Sequence, residues 1–265
     1  MASGRDYHAA VRRLALAVVL TAALLVPAAA QAANPVLSAA KRSSTAKSAK
    51  LQLQMTTTAP GKAKTVLSGS GATSGRNVTL SVSTTVAGRR VPMNAIGVVE
   101  NGAYVMYMRS PLFSTLPQGK TWLRIDLQAQ GGSVGLDFGS LIGQAETLAP
   151  LAHGLVSTKM VARERVAGRP TTRYRAVVDL RRAARAVPAY GKQLDTVERA
   201  TGVRLGRVTQ DVWVGADGRI RRLRTVTPTT FQGARASTVQ TLTFLAYDVP
   251  VAIAAPPAAQ VFNAS

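Results

Sequence analysis

Apolar and polar residues alternate along most of the chain, which is the pattern of half-buried β-strands. At residues 51–55, Leu51, Leu53 and Met55 are separated by two glutamines. At residues 78–86, apolar residues lie among serines and threonines. Because successive side chains of a strand point to opposite faces of a sheet, each segment predicts one buried and one exposed face.

Short turn sequences connect these segments, which predicts an antiparallel sheet. Asn101-Gly102 follows residues 91–99, and Asp217-Gly218 follows residues 206–214. Both dipeptides favour two-residue hairpin turns. Further strands are predicted at residues 66–73, 103–109, 121–127, 156–166, 171–180, 219–227 and 236–247.

Three segments have helical periodicity instead. They are residues 35–47, which begin with a proline, residues 137–153, and residues 181–200, which Pro188 should break or kink. So few helices cannot cover both faces of a long sheet. The sequence therefore predicts an α+β fold, a strongly curved antiparallel half-barrel sheet of about ten strands with helices covering its concave apolar face.

The first 32 residues have the organisation of a secretory signal peptide. A segment with Arg5, Arg12 and Arg13 precedes an apolar run at residues 14–26, and Ala30-Gln31-Ala32 is a small-x-small cleavage site. We predict a signal peptide at residues 1–32 and a single domain at residues 33–265. The alternative is an uncleaved N-terminal anchor, although the apolar run is shorter than the roughly 20 residues that span a membrane.

The composition removes several kinds of chemistry. The chain has no cysteine and two histidines, His8 and His153. Disulfides, zinc fingers, thiol nucleophiles and the lipid-bearing cysteine of a lipoprotein are therefore excluded. We expect a soluble, monomeric secreted or cell-envelope protein, with no metal and no cofactor.

No motif supports catalysis, and we predict no catalytic residue. The sequence lacks G-x-S-x-G, a phosphate-binding loop and a dinucleotide fingerprint. Outside the leader the one histidine is His153, which precedes Gly154 at a predicted helix end. Helices often end at a glycine, so this position has an ordinary structural explanation. A hydrolase that uses His153 is the least supported function.

Basic residues outnumber acidic ones by 33 to 12, which gives a formal net charge of +21. Arg163 and Arg165 would share one patch with Arg173 and Arg175 if their strands pair around the intervening turn. Such a patch is either a solvated sheet face or a contact for an anionic membrane surface or wall polymer. The residues predicted for this contact are Arg173, Arg175, Arg221 and Arg222. Nucleic acid is not expected, because the strands lack a pattern of exposed aromatic residues.

One face of the predicted sheet is apolar, in a chain with only 5% aromatic residues. This face is either a filled core or the wall of an adaptable cavity for acyl chains, to which methionine is suited. The predicted cavity residues are Val78, Leu80, Val82, Met106, Met108, Leu141, Ile142, Val212 and Val214.

Several segments, in order along the chain, resemble motifs of one family. They are YMRSP at residues 107–111 with LPQGKTWLRIDL at 116–127, VAGRPTTRY at 166–174, VWVGADGRIRR at 212–222 and VPVAIAAPP at 249–257. They are similar to segments of the LolA/LolB-like lipoprotein-carrier superfamily, in particular actinobacterial envelope proteins of the LppX/LprG type. The resemblance implies a half-barrel around a hydrophobic cavity, closed by helices, that binds lipid or acyl chains. Many relatives carry a lipobox cysteine, which this chain lacks.

These observations favour an exported, non-enzymatic protein that binds lipid or acyl chains, as a lipid or lipoprotein carrier of the cell envelope. The alternative is a regulatory or binding module whose basic face contacts anionic wall polymer or a membrane surface.

Overall fold

Twelve strands of one sheet and four α-helices make up the described part of the chain. The computed structural model describes residues 34–61, 64–86, 89–113, 116–126, 144–201, 204–231 and 234–263. The helices are α1 (Pro35–Ser44), α2 (Gln144–Gly154), α3 (Leu180–Ala186) and α4 (Pro188–Thr201). The strands are β1 (Ser48–Thr58), β2 (Thr65–Ser74), β3 (Asn77–Val86), β4 (Arg89–Glu100), β5 (Ala103–Arg109), β6 (Trp122–Asp126), β7 (Leu155–Val166), β8 (Arg169–Asp179), β9 (Arg207–Gly215), β10 (Ile220–Phe231), β11 (Ala234–Tyr247) and β12 (Val261–Asn263).

The sheet is open and almost entirely antiparallel. Its strand order is β12-β6-β5-β4-β3-β2-β1-β11-β10-β9-β8-β7, and only β12 and β6 pair in parallel. At the β4–β5 turn, Asn101 and Gly102 have φ angles of 50° and 81°, which asparagine and glycine adopt at low cost. The antiparallel half-barrel predicted from the sequence is confirmed.

The sheet has two chemically different faces. On the inner face, Leu51, Leu80 and Val212 pack in one apolar cluster with residues of all four helices. The outer face bears the side chains between them, such as Gln52 and Ser81. The alternation in the sequence is therefore the alternation between these two faces.

The helices make their main contacts with the sheet at one end of the inner face. α1 packs on β9, β10 and α2, and α2 also contacts β7, β8 and α3. Val36 of α1 and Leu148 and Leu151 of α2 are buried in the inner cluster. The Asp179 carboxylate accepts a hydrogen bond from the backbone N–H of Arg182 and caps α3, which lowers the pKa of Asp179.

The helix predictions agree with the described residues. α1 begins at the predicted Pro35, and Pro188 separates α3 from α4 because a proline has no backbone N–H to donate within a helix. α2 begins at Gln144, while residues 137–143 of the predicted helix and the leader at residues 1–32 lie outside the described residues. Within the described ranges, no helix combines the length and the apolar character of a membrane span.

After β11, which lies inside the sheet between β1 and β10, the chain crosses to the edge next to β6. There β12 pairs with β6. Ile253 and Val261 pack against a second apolar cluster, on the outer face, formed by Val98, Val105, Tyr107 and Trp122. Among the strands of the described residues, β12 is the one that the alternating pattern did not indicate, because three residues are too few to alternate.

Candidate functional site

The predicted cavity residues that the structure describes lie together on the inner face. Buried there are Val78, Leu80, Val82, Met106, Met108 and Val212. Val214 is half-buried and packs against the same cluster. Leu141 and Ile142 lie outside the described residues.

Small residues in β4 allow the large inner side chains to approach each other. In the strand register, Gly97 lies between Val78 of β3 and Met106 of β5. A Cβ atom on Gly97 would overlap the hydroxyl of Tyr104, which packs over this position. Glycine is therefore required here by a close approach of side chains.

Methionine is concentrated on this face. Of the six methionines, four belong to the inner cluster or pack against it: Met55, Met93, Met106 and Met108. They lie on β1, β4 and β5, away from β7–β10 where the helices make their main contacts with the sheet. Met55 and Met93 are only half-buried. The inner face of these strands thus carries flexible apolar side chains, two of them buried and two half-buried.

On the outer face, three arginines surround a buried acid that the sequence analysis did not single out. Asp211 Oδ2 lies 2.6 Å from Arg173 Nη2, and Asp211 Oδ1 lies 3.2 Å from Arg175 Nε. Arg224 Nη1 is 3.9 Å from the same Oδ2. The Asp211 side chain is only 6% exposed. Glu164 Oε1 lies 3.9 Å from Arg173 Nη1, so two carboxylates face three guanidinium groups and the cluster keeps a net positive charge.

Arg222 lies next to this cluster on β10. Its Cζ is 5.5 Å from the centroid of the Trp213 ring, and that of Arg173 is 5.0 Å away. Arg222 Nε also donates to Thr243 Oγ1 at 3.2 Å, and Trp213 Nε1 donates to Glu164 Oε1 at 2.8 Å. Stacking and hydrogen bonds therefore restrict both guanidinium groups before any ligand binds.

Arg221 does not belong to this group, contrary to the sequence prediction. It is the extra residue of a β-bulge between Ile220 and Arg222, and bulges redirect side chains. Its side chain is 8% exposed, pairs with Asp217 Oδ2 at 2.5 Å and lies over the Tyr247 ring. Burial raises the pKa of Tyr247. A buried guanidinium cannot contact an anionic surface, so Arg221 is removed from the predicted set.

The expectation that Arg163 and Arg165 share a patch with Arg173 and Arg175 is wrong. In the strand register Arg163 lies opposite Thr172, and Arg165 lies opposite Pro170. Both arginines therefore point to the face of the sheet opposite that of Arg173. A one-residue offset in register moves a side chain to the other face. Arg163 and Arg165 instead line a separate pocket of about 360 Å³ that also includes Val214.

A polar groove of about 1000 Å³ crosses the outer face beside the arginine cluster. Arg90 and Asn94 of β4 lie at one end, and Arg173, Arg222 and Arg224 at the other. None of the described residues that line it is acidic. Its middle is lined by short hydroxyl and amide side chains: Gln52, Gln54, Ser68, Ser70, Ser81 and Ser83.

Register alone assembles this groove. Asn94, Ser81, Ser70 and Gln52 are successive partners across β4, β3, β2 and β1, and Thr243, Arg222, Trp213 and Arg173 continue the same row to β8. In the sequence these residues are separate outer-face positions of eight strands. Only the strand order, which hairpin signals fix in part, could have indicated that they lie in one line.

Metal and histidine chemistry have little support in the part of the chain that the structure describes. No three or more histidine and acidic side chains there are grouped in a way that could hold a metal ion. His153 is exposed in the last turn of α2.

The fold is similar to that of solved bacterial proteins. The structure of LprF from Mycobacterium bovis matches with a TM-score of 0.50 at 14% sequence identity, over 84% of this chain and 95% of that one. The lipoprotein LppX of Mycobacterium tuberculosis gives 0.42 at 14% identity, over 83% and 100%. A LolA superfamily protein from Nitrosomonas europaea gives 0.33 at 10% identity, over 82% and 93%.

No protein-family model matches the sequence, and no curated protein matches it significantly. The likeness to LprF extends over most of both chains and shows the fold. The chain therefore has a fold like that of LprF, with the curved half-barrel sheet that the sequence resemblance implied.

Proposed function

We propose that this protein is an exported, non-enzymatic carrier of the cell envelope that holds a lipid or acyl chain between its sheet and its helices. It acts as a soluble monomer after its leader is cleaved near Ala32. The observation that carries the proposal is the inner face of β1, β4 and β5, where four methionines line an apolar surface away from the main helix contacts. The LprF-like fold and the family resemblance support the same function.

The physical gain from such binding is large enough for a carrier. Each buried methylene contributes about 0.8 kcal/mol, so ten of them contribute about 8 kcal/mol. Before the cost of association, that corresponds to a dissociation constant of about 1 µM. An apolar wall without fixed polar partners holds the chain by area, and therefore accepts acyl chains of different lengths.

Lipid binding is tested on the wild-type protein first. Native mass spectrometry after purification without detergent should show bound lipid, or uptake of an added long-chain fatty acid. A protein that never retains or takes up either one would contradict the proposal.

The position of the bound acyl chain is tested with Met55→Gln/Met93→Gln, which places amides at the two half-buried methionines of the inner face. Affinity for a fluorescent long-chain fatty acid should fall about tenfold, because buried amides lose their hydrogen bonds to water. Met160→Gln is the matched control, since Met160 is 49% exposed on β7. It should bind like wild type, and an equal loss in the control would place the ligand elsewhere.

A further inference from the structure

The groove on the outer face is a second candidate binding site, separate from the inner apolar surface. It spans the sheet from Arg90 on β4 to Arg173 on β8, across eight neighbouring strands. With strands about 4.8 Å apart, this distance is about 34 Å. A ligand that fills it must be long and narrow.

The charge of the groove favours an anionic ligand. Four arginines line it, and none of its described lining residues is acidic. Asp211 pairs with Arg173 and Arg224, and Glu164 lies 3.9 Å from Arg173. Neither acid is among the lining residues, and together they leave two of the four arginine charges unmatched. Guanidinium groups bind carboxylates and phosphates through paired hydrogen bonds.

The arginines are also held in place before binding. Arg90 Nε donates to Ser83 Oγ at 2.8 Å, and Arg222 Nε donates to Thr243 Oγ1 at 3.2 Å. Fixed side chains lose less conformational entropy when a ligand binds. This order distinguishes the groove from a surface whose long basic side chains are solvated and mobile.

The middle of the groove favours a ligand rich in hydroxyl groups. Ser68, Ser70, Ser81, Gln52 and Gln54 offer hydroxyl and amide groups that both donate and accept hydrogen bonds. Ser70, Ser81 and both glutamines are exposed. Sugar units between charged groups would match these side chains.

A membrane surface and a nucleic acid fit this geometry less well. A flat bilayer cannot enter a depression between the two arginine ends. The side chains of Leu53 and Val82 are buried in the inner cluster, which leaves Pro92 as the exposed apolar side chain of the lining, too little to anchor in a bilayer. Trp213, the one aromatic residue of the lining, is only 4% exposed and lies beside two guanidinium groups. It offers no face on which a base could stack.

We propose that this groove binds an extended anionic carbohydrate chain. Its negative groups pair with Arg90 at one end and with Arg173, Arg222 and Arg224 at the other, and its hydroxyl groups bind the serines and glutamines between them. The proposal does not depend on lipid binding at the inner face, so either can fail alone.

The first experiment measures binding of the purified wild-type protein to a fluorescein-labelled galacturonate hexamer by anisotropy, at about 20 and about 200 mM salt. We expect saturable binding that weakens at the higher salt. Unlabelled galacturonate should compete, whereas uncharged maltohexaose should not. Competition by maltohexaose, or a stronger affinity for a deoxythymidine oligonucleotide or for anionic phospholipid vesicles, would overturn the proposal.

The second experiment places the ligand in the groove. Arg90→Gln/Arg222→Gln/Arg224→Gln should lower the affinity about 30-fold or more. The matched control, Arg163→Gln/Arg165→Gln/Arg169→Gln, removes the same charge from exposed residues of the β7–β8 hairpin and should lower it less than about threefold. Equal losses in both variants would mean a general charge effect and would overturn the assignment.

A third variant tests the groove without changing charge. Ser70 is exposed in the middle of the groove, and Ser70→Tyr fills that space with a residue that strands accept well. The variant should keep the wild-type thermal midpoint and lose binding of the galacturonate chain. Unchanged affinity in this folded variant would contradict a ligand that crosses the groove.

Discussion

Asp211 is the residue on which the outer-face arginine cluster depends. Its carboxylate is 6% exposed and pairs with Arg173, Arg175 and Arg224, which belong to both neighbouring strands. A buried charge is tolerated when it is paired and hydrogen-bonded, and removing one partner leaves the others unbalanced. The single acid thus links β8, β9 and β10 on the outer face.

We predict that Asp211→Asn lowers the free energy of unfolding by about 1–3 kcal/mol, in the range of hydrogen bonds to charged groups. The substitution keeps the volume and removes the charge that faces three guanidinium groups. Urea denaturation at neutral pH measures the change without adding salt.

Asp195→Asn provides the comparison for this substitution. Asp195 Oδ1 is 2.9 Å from Arg181 Nη1, but its side chain is 61% exposed. An exposed pair contributes about 0–1 kcal/mol. If the two variants lose the same stability, burial of Asp211 is not what makes its pairs important.

The contacts of individual residues could be predicted from the sequence only in part. Strand pairing places Arg173 and Arg222 on one face, but the bulge that buries Arg221 leaves no mark in the alternating pattern. Asp211 shows why partners are harder to predict than positions. Its partners Arg175 and Arg173 are 36 and 38 positions away along the chain, and no local pattern indicates that they lie close to it.

At the scale of elements, β2 and β3 approach each other unusually closely at Gly69. A Cβ atom there would overlap the Ser81 carbonyl oxygen and come within 2.6 Å of Val82 Cα. Both atoms are backbone and cannot rotate away. Glycine in a strand interior marks such a close approach.

Gly69→Ala should therefore lower the free energy of unfolding by about 1–3 kcal/mol or more, as over-packing does. Added bulk would push β3 away from β2 and weaken the hydrogen bonds between them. Amide hydrogen exchange should show faster exchange in these two strands, with thermal or urea denaturation giving the stability change.

Gly206→Ala is the control for the glycine substitution. Nothing lies within 4 Å of an added Cβ at Gly206, and its φ angle is not in the left-handed region. Its stability should stay within about 0.5 kcal/mol of wild type. Equal effects at both glycines would contradict the steric argument.

Elements are where the sequence predicts most successfully, because their signals are local. Turn residues such as Asn101-Gly102 and the break at Pro188 act within a few positions, and the structure has both. The β7–β8 hairpin shows how much one residue of register matters. Its turn has two residues, Ala167 and Gly168, so Arg163 lies opposite Thr172 and points to the face opposite that of Arg173.

For the whole molecule, one sheet carries two candidate sites with opposite chemistry. Alternation predicts the apolar inner face, because the long strands contribute to it by the same rule. The polar groove depends on strand order across eight strands, including the contact of β1 with β11. Those two strands are separated by most of the chain, and no local signal pairs them.

Asp248 ties distant parts of this sheet together. Its Oδ1 accepts a hydrogen bond from the backbone N–H of Lys47 at 2.8 Å, and its Oδ2 lies 2.6 Å from Arg219 Nη1. These contacts join the start of β1, the end of β11 and the β9–β10 turn. The hydrogen bond from Lys47 and that from Arg219 lower the pKa of Asp248 below its ordinary value of 3.8.

The lowered pKa predicts the direction of a pH effect. A carboxyl group whose pKa is lower in the folded than in the unfolded state stabilises the fold fully above the unfolded value. That contribution is lost as the pH falls through the folded value. Stability should therefore fall below a pH of about 4, and Asp179, with its own lowered pKa, contributes in the same direction.

Asp248→Asn isolates the contribution of this one carboxylate. Asparagine tolerates the positive φ of 53° at this position, so the backbone is not strained by the change. We expect the variant to be less stable than wild type in urea at pH 7. The difference should shrink as the pH falls below about 4, because protonation removes the same charge from the wild type. If the stability difference stayed constant as the pH falls below about 4, the charge of the Asp248 carboxylate would not be what holds these segments together. Packing of the C-terminal segment would then hold them.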